Sequence, residues 1–133
     1  GIAMNVDGDR RPAQVLADAV ALQQVIVNLV RNALEAVRDD APESPAVRVR
    51  VVIRLREVEL QILDNGPGFP AKSVEDAEKP FASTKPGGTG IGLPLSRAIV
   101  EAHGGRLWFT RANDRGTTFH IALPLAGSEG RPS

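Results

Sequence analysis

The 133-residue chain has no cysteine, no apolar run long enough to cross a bilayer and no excess of either charge sign. Without cysteine it can form no disulfide, no thiolate metal site and no cysteine nucleophile. A membrane-spanning helix needs roughly 20 consecutive apolar residues, so none is predicted. Sixteen basic residues balance sixteen acidic ones, which predicts no nucleic-acid binding through bulk charge. The length and the 42% hydrophobic content are typical of one globular domain over residues 1–133.

Apolar periodicity divides the chain into strands and two main helices. The clearest signal is a stripe at helical spacing formed by Leu22, Val25, Ile26, Leu29, Ala33, Leu34 and Val37. It predicts a helix over residues 19–38, with Asp18 as its N-cap. A second helix is predicted over residues 91–103, with Pro94 in its first turn and Gly104-Gly105 as its stop. Alternation and short apolar runs predict strands over residues 1–6, 13–18, 47–55, 58–64, 106–111 and 117–124.

Consecutive pairs of strands predict hairpins, and the order of elements predicts an α+β fold. We expect a two-layer α/β sandwich, with a mixed, largely antiparallel sheet and helices packed on one face. Residues 66–92 are too long for a simple connection, and loops of that length are usually functional or mobile. A short helix is predicted there near residues 73–78. The tail over residues 126–133 is expected to be disordered.

Two asparagines lie within the long predicted helix. Asn28 and Asn32 are four residues apart and therefore project from one face, with Glu35 a turn further on. Inside a helix, asparagine costs up to about 0.7 kcal/mol relative to alanine. One interpretation is a solvated polar face. The other is a site where amide oxygens ligate a hard cation that keeps most of its waters.

Asp64 interrupts the apolar face of its strand, because alternation places it beside Leu60 and Ile62. A carboxylate aimed at a core must be paired, hydrogen-bonded or in use. It either caps the turn "DNGPG" or binds a ligand, since Gly66 and Gly68 allow a flat group to approach the backbone. An ionised carboxylate accepts hydrogen bonds and donates none, which suits an amino group such as that of adenine.

Glycine is concentrated in "KPGGTGIGLPLS", directly before the second predicted helix. Gly88, Gly90 and Gly92 are spaced by two, and free N–H groups at a helix start attract an anion together with the helix dipole. The spacing fits neither the dinucleotide fingerprint nor a P-loop, and a flexible surface loop is the alternative. Taken together, a carboxylate for an amino-bearing ring, amides for phosphates and an asparagine face for magnesium indicate Mg-ATP.

The motifs "QQVIVNLVRNALEA", "DNGPG", "KPFASTKPGGTGIGL" and "RGTTF" occur in the order of the N, G1, F, G2 and G3 boxes. With them the chain resembles the catalytic ATP-binding domain of bacterial sensor histidine kinases, within the wider fold of DNA gyrase and MutL. The resemblance spans roughly residues 15–125. The stretches "FASTKPGGTGIGL" and "IVEAHGG" are similar to the branch of oxygen, nitrogen and dicarboxylate sensors. Pro94 departs from the family, which usually has a small residue there.

The resemblance implies roles for the polar residues of these boxes. Asn32 is expected to ligate Mg2+, with Asn28 and Glu35 helping around the phosphates. Asp64 is expected to bind the adenine amino group, and Thr117 to support it through water. Thr117 also fits on local grounds, because alternation places it on the inward face of its strand.

The glycine-rich segments and the long loop complete the implied pocket. The residues implied around the base and the triphosphate are Gly66, Gly68, Gly88, Gly90, Gly92 and Leu93. Lys85 is expected to reach the triphosphate from a mobile ATP lid over about residues 70–89. Phe81 is expected either to anchor that lid or only to pin the loop.

The same family implies the reaction and the partners. Such a domain binds Mg-ATP and passes the γ-phosphate to a histidine on a separate dimerisation domain, in a two-component system with a response regulator. Neither His103, at a helix end, nor His120, expected at a surface or edge, is a credible acceptor, so no catalytic residue is predicted in this chain. The isolated domain is expected to be monomeric and cytoplasmic, whether or not its parent is membrane-anchored.

Two alternatives stay open at the level of sequence. An ATPase or serine protein kinase of the same fold typically carries glutamate at the position of Asn28, whereas this chain has an amide that cannot remove a proton. A nucleotide-regulated binding module, in which ATP only orders the lid for a partner, is the second alternative. Intact boxes favour the kinase over both.

Overall fold

The computed structural model describes residues 3–8, 18–40, 44–66, 92–111 and 116–126. In chain order the described elements are β1 (Ala3–Gly8), α1 (Ala19–Asp40), β2 (Ala46–Ile53), β3 (Glu57–Asp64), α2 (Gly92–Ala102), β4 (Arg106–Arg111) and β5 (Thr117–Pro124). The predicted bounds of β4 and β5 are confirmed. Of the predicted strand at residues 13–18 only Asp18 is described, and it is not in a strand. The short helix near residues 73–78, the lid and the end of the tail lie outside the described residues.

The five strands form one mixed sheet in the order β1-β2-β3-β5-β4. β1 is parallel to β2, whereas the other neighbouring pairs are antiparallel. A parallel pair needs a crossover of a dozen or more residues, and α1 lies in the segment that joins β1 to β2. The predicted mixed, largely antiparallel sheet is confirmed, with β1 at one edge.

Both helices bury their apolar faces against the same side of this sheet. One buried cluster joins them to the strands: Val25, Leu29, Ala33, Val37, Val47, Ile62, Leu93, Val100, Leu107, Phe119, Ile121 and Leu123. Leu29, in this cluster, is fully inaccessible to solvent, so Leu29→Ala would lower the free energy of unfolding by roughly 2–5 kcal/mol. The predicted stripe of α1 is therefore the core-facing one, and the two-layer α+β sandwich is confirmed.

Helix ends are fixed by the residues that the sequence indicated. Asp18 Oδ1 accepts hydrogen bonds from the N–H groups of Val20 at 3.0 Å and Ala21 at 3.2 Å, which satisfies two orphan donors of α1. At the end of α2, Gly104 adopts φ +78, and the Gly105 N–H donates to the Val100 carbonyl at 3.0 Å. This is a Schellman termination, which needs a residue tolerant of the left-handed region.

Two predictions about side-chain position were wrong. The predicted strand over residues 47–55 put Leu55 on the same face as Val47 and Ile53. Leu55 is instead 92% exposed, because β2 ends at Ile53 and a turn closed by Arg54 N–H to Glu57 C=O at 2.8 Å carries it to the hairpin tip. His120 does face away from the core, as alternation predicted. However, β5 is an interior strand, and the His120 side chain is only 12% exposed.

Candidate nucleotide-binding site

The end of β3 and the start of β5 bring Asp64 and Thr117 together. The two residues are direct partners in the antiparallel ladder. Partners of this kind have Cβ atoms about 4.5–5.5 Å apart on one face of the sheet. Thr117 is buried at 4% exposure, whereas Asp64 is half-buried. The structure therefore makes these two side chains neighbours on one face of the sheet.

A hydrogen bond within the following turn orients the Asp64 carboxylate. Its Oδ1 accepts a hydrogen bond from the Gly66 N–H at 2.8 Å. This confirms the interpretation of Asp64 as a turn cap, in which the side chain binds the backbone two residues on. A carboxylate offers about four acceptor positions, so this bond leaves it chemically able to accept further donors.

Two glycines allow the chain to close around that carboxylate. Gly116 has φ +104, and a Cβ at this position would clash with the carbonyl oxygen of Asp64. At Gly66, a Cβ would lie 3.1 Å from Asp64 Oδ1 and 3.1 Å from the Cβ of Ala36. Gly66 therefore packs against α1. The sequence reasoning missed Gly116, although the glycine of "RGTTF" directly before Thr117 was its available signal.

The contact at Ala36 places the second half of α1 beside the end of β3. Asn32 stands one helical turn before Ala36, and Glu35 directly precedes it. Both Asn32 and Glu35 are half-buried. The structure therefore brings the predicted asparagine face and the predicted carboxylate to the same end of the sandwich.

Asn28 faces the second helix. Its Nδ2 donates a hydrogen bond to Ser96 Oγ at 3.1 Å, across 68 positions of sequence. Ser96 is buried at 3% exposure, so its hydroxyl needs a protein partner. Ser96 was not predicted, because one serine in the apolar run "LPLSRAIV" carries no signal of a cross-helix bond.

The described part of α2 begins at Gly92, the last glycine of the predicted phosphate-binding segment. Leu93 is buried at 3% exposure, and Pro94 occupies the first turn as predicted. A start of this kind leaves backbone N–H groups without partners inside the helix. The remaining predicted site residues lie outside the described residues: Gly68, Phe81, Lys85, Gly88 and Gly90.

A second polar cluster occupies the opposite face of the sheet. Glu59 is buried at 5% exposure, and its carboxylate lies 2.6 Å from Gln61 Nε2, 2.8 Å from His120 Nδ1 and 3.1 Å from an Arg54 nitrogen. Trp108 stacks on His120 with ring centroids 4.8 Å apart. Burial by itself raises the pKa of Glu59. The hydrogen bonds from Gln61, His120 and Arg54 outweigh it, so the pKa lies below its ordinary value of 4.5.

His103 has a structural position, as predicted. Its Nε2 accepts a hydrogen bond from the Asp18 N–H at 3.0 Å, while Nδ1 lies 2.7 Å from the Ile99 carbonyl oxygen. Because a carbonyl oxygen only accepts, Nδ1 carries the hydrogen and Nε2 the lone pair. His103 thus ties the end of α2 to the start of α1.

A two-layer sandwich with an inward carboxylate at a strand end, beside an asparagine-bearing helix, defines the class of ATP-binding domains that the sequence motifs resemble. A family model described as histidine kinase-, DNA gyrase B-, and HSP90-like ATPase matches residues 17–127. The chain belongs to this family.

Three relatives illustrate the family's relation to this chain. Sensor protein TdiS of Thauera aromatica is 34% identical over 93% of this chain, and sensor protein FixL of Bradyrhizobium diazoefficiens is 41% identical over 84% of it. The solved catalytic domain of histidine kinase ThkA superposes with a TM-score of 0.77 at 31% identity, covering 92% of this chain and 78% of that domain. ThkA in complex with response regulator protein TrrA matches at 28% identity, with a TM-score of 0.71, over 98% of this chain and 36% of that one.

The chain corresponds to only a part of the curated relatives. It spans 23% of the length of TdiS and 22% of the length of FixL. Among the described residues, neither helix combines the length and the apolarity that a bilayer crossing requires.

Proposed function

We propose that this chain is the catalytic domain of a two-component histidine kinase. It binds Mg-ATP and donates the γ-phosphate to a histidine on a separate dimerisation domain. The observation that carries the proposal is the meeting of Asp64 and Thr117 at one end of the sandwich, beside the α1 turn that follows Asn32. Family membership supplies the reaction class.

The roles of the site residues follow from their chemistry. The Asp64 carboxylate accepts a hydrogen bond from the adenine amino group, with Thr117 supporting it, and Gly66 and Gly68 shape the pocket around the base. The glycine-rich segment before α2 holds the triphosphate through backbone N–H groups. The residues in this second role are Gly88, Gly90, Gly92 and Leu93. Lys85 reaches the triphosphate from the lid over about residues 70–89, and Phe81 anchors that lid.

The residues of α1 fit a magnesium ion. Mg2+ prefers oxygen ligands and keeps several of its waters, so it needs few protein ligands. Asn32 supplies an amide oxygen from a half-buried position, and Asn28 and Glu35 stand on either side of it along the helix. When bound, the cation neutralises phosphate charge, which phosphoryl transfer requires. The chain's own contribution is to position the nucleotide.

Asn28 favours the histidine kinase over an ATPase or serine kinase of the same fold. An amide cannot remove a proton from water or a hydroxyl, and the Asn28 nitrogen donates to Ser96. The acceptor imidazole is itself a nucleophile and needs no strong base from this domain. His103 and His120 are engaged in structural hydrogen bonds, so the acceptor lies on another domain.

The wider assembly follows from the family. The partners are the kinase's own dimerisation domain and, through the full-length kinase, a response regulator. Residues 1–133 act as one catalytic ATP-binding domain, a monomer when isolated, on the cytoplasmic side. Nucleic acid is not a partner, because the formal net charge is +0.

Binding and phosphotransfer are tested separately. Equilibrium titration should show magnesium-dependent binding of ATP, in the micromolar range or weaker. Radioactive ATP should label a supplied histidine-bearing dimerisation domain and leave this chain unlabelled. Absence of magnesium-dependent binding at millimolar nucleotide would overturn the proposal, and so would labelling of His103 or His120.

A further inference from the structure

The hydrogen bond between Asn28 and the buried Ser96 joins the two helices that carry the proposed nucleotide site. Asn28 lies one turn before Asn32 on α1, and Ser96 lies one turn after Gly92 on α2. The bond is therefore one helical turn from the proposed magnesium ligand on one side, and one turn from the proposed phosphate-binding helix start on the other. Ser96 itself is too far inside α2 to offer a free backbone N–H.

The bond also restrains the terminal torsion of the Asn28 side chain. The terminal torsion of asparagine is broad, so an unrestrained amide exchanges its nitrogen and oxygen ends. Here Nδ2 donates to Ser96 Oγ, which holds the nitrogen against α2. The second Nδ2 hydrogen and Oδ1 then keep constant directions. Ser96 is 3% exposed, so water does not compete freely for its hydroxyl.

We infer that Ser96 is a positioning residue for the phosphate end of the nucleotide. It acts through Asn28 by restraining that side chain and by fixing the separation of α1 and α2 at this level. This inference rests on the proposed function, because it assigns the phosphates to the junction of the two helices. It separates the site into a base end, built by Asp64 and Thr117, and a phosphate end that depends on the Ser96 link.

The test compares two ligands that share the base and differ in phosphate. In the Ser96→Ala variant, Mg-ATP should bind about five- to tenfold more weakly, which is the equivalent of one net hydrogen bond. Adenosine, which has no phosphate, should bind within about twofold of the wild type. Ser96→Thr keeps the hydroxyl and should restore Mg-ATP binding. Equal weakening of both ligands, or no change in either, would overturn the positioning role.

A double-mutant cycle tests whether Ser96 acts through Asn28. In an Asn28→Ala background, adding Ser96→Ala should change Mg-ATP affinity by less than about twofold, because the link is already gone. Independent, additive effects would contradict the inference.

A nucleotide-free measurement keeps the inference separate from the proposed function. The side-chain amide hydrogens of Asn28, observed by NMR without ligand, should exchange with water faster in Ser96→Ala than in the wild type. If wild-type protein fails to bind Mg-ATP, the proposed function and the nucleotide-positioning role both fail, even where the exchange result verifies the link. If Mg-ATP binds but the Asn28 signals are the same in both proteins, the Ser96 inference alone fails.

Discussion

Two carboxylates on the same strand, Asp64 and Glu59, have different environments on opposite faces of the sheet. They are five residues apart, an odd number, so alternation sends one toward the helices and the other away from them. Glu59 is enclosed by three side chains that donate to it or pair with it. The Asp64 carboxylate accepts a hydrogen bond from the backbone N–H of Gly66. A Cβ at Gly66 would crowd this carboxylate, and a Cβ at Gly116 would clash with the Asp64 backbone carbonyl.

The comparison contrasts a buried carboxylate that is bonded to side chains with a half-buried one that is oriented by main chain. The Glu59 carboxylate accepts hydrogen bonds from the side chains around it. These bonds stabilise the ionised carboxylate and occupy its acceptor positions. Asp64 accepts a hydrogen bond from the main-chain N–H of Gly66, and Gly66 and Gly116 let the backbone pass close to it. The first arrangement predicts effects on folding, and the second predicts effects on binding.

The largest effect is expected at Gly116, where backbone shape defines the Asp64 region. Gly116→Ala adds a Cβ at φ +104 that meets the Asp64 carbonyl oxygen. Left-handed strain costs about 1–3 kcal/mol, and the clash adds to it, so the free energy of unfolding should fall by at least about 3 kcal/mol. Chemical denaturation measures this value.

Gly104→Ala is the matched control, because Gly104 also has positive φ but its Cβ would meet only Pro124 at an ordinary 3.6 Å. It should cost about 1–2 kcal/mol, the strain alone. Equal losses in the two variants would remove the argument that close approach to Asp64 requires Gly116.

The next effect separates the two carboxylates by ligand binding. Asp64→Asn replaces an acceptor-only group by an amide and should weaken nucleotide binding about 10- to 150-fold, since a hydrogen bond to a charged group is worth roughly 1.5–3 kcal/mol. Glu59→Gln should leave the affinity unchanged within about twofold. Calorimetric titration with Mg-ATP measures both. If Asp64→Asn left the Mg-ATP affinity unchanged while Glu59→Gln weakened it, the nucleotide would bind on the Glu59 face of the sheet and not on the Asp64 face.

A smaller effect is expected in acid. Because the folded-state pKa of Glu59 lies below 4.5, ionised Glu59 contributes stability that is present above pH 4.5 and lost as the pH falls through the folded-state pKa. At pH 7, Glu59→Gln should therefore be less stable than the wild type by about 1–2 kcal/mol. The difference should shrink below pH 4.5, as measured by denaturation across pH. A gap that stays constant into acid would show that charge is not the cause.

Local rules explain why so much of the fold could be predicted from the sequence. The α1 stripe, the Asp18 cap and the Gly104-Gly105 stop each depend on residues close together in the chain, and the structure has all three. The face of Asp64 followed from counting along its strand. Leu55 was placed wrongly because alternation does not reveal where a hairpin turns.

What could not be predicted depends on pairing between distant segments. The Glu59 cluster needs the register of β3 against β5, which puts His120 beside Gln61 and next to Glu59. The link from Asn28 to Ser96 needs the packing of α1 on α2. His120 was expected at a surface or edge because the sequence of β5 alone does not show that β5 lies between two other strands.

The smallest expected effect concerns Asp18, which belongs to neither carboxylate region and sets a baseline for both. Asp18→Ala removes the cap of α1 and should lower the free energy of unfolding by about 1 kcal/mol, while Asp18→Asn, also a good cap, should lower it by much less. Mg-ATP affinity should stay within about twofold of the wild type, because the cap is more than two helical turns from Asn28. Thermal denaturation and titration measure the two quantities. If Asp18→Ala weakened binding as strongly as Ser96→Ala, general loosening of α1 would explain both results, and the specific role of the cross-helix bond would be lost.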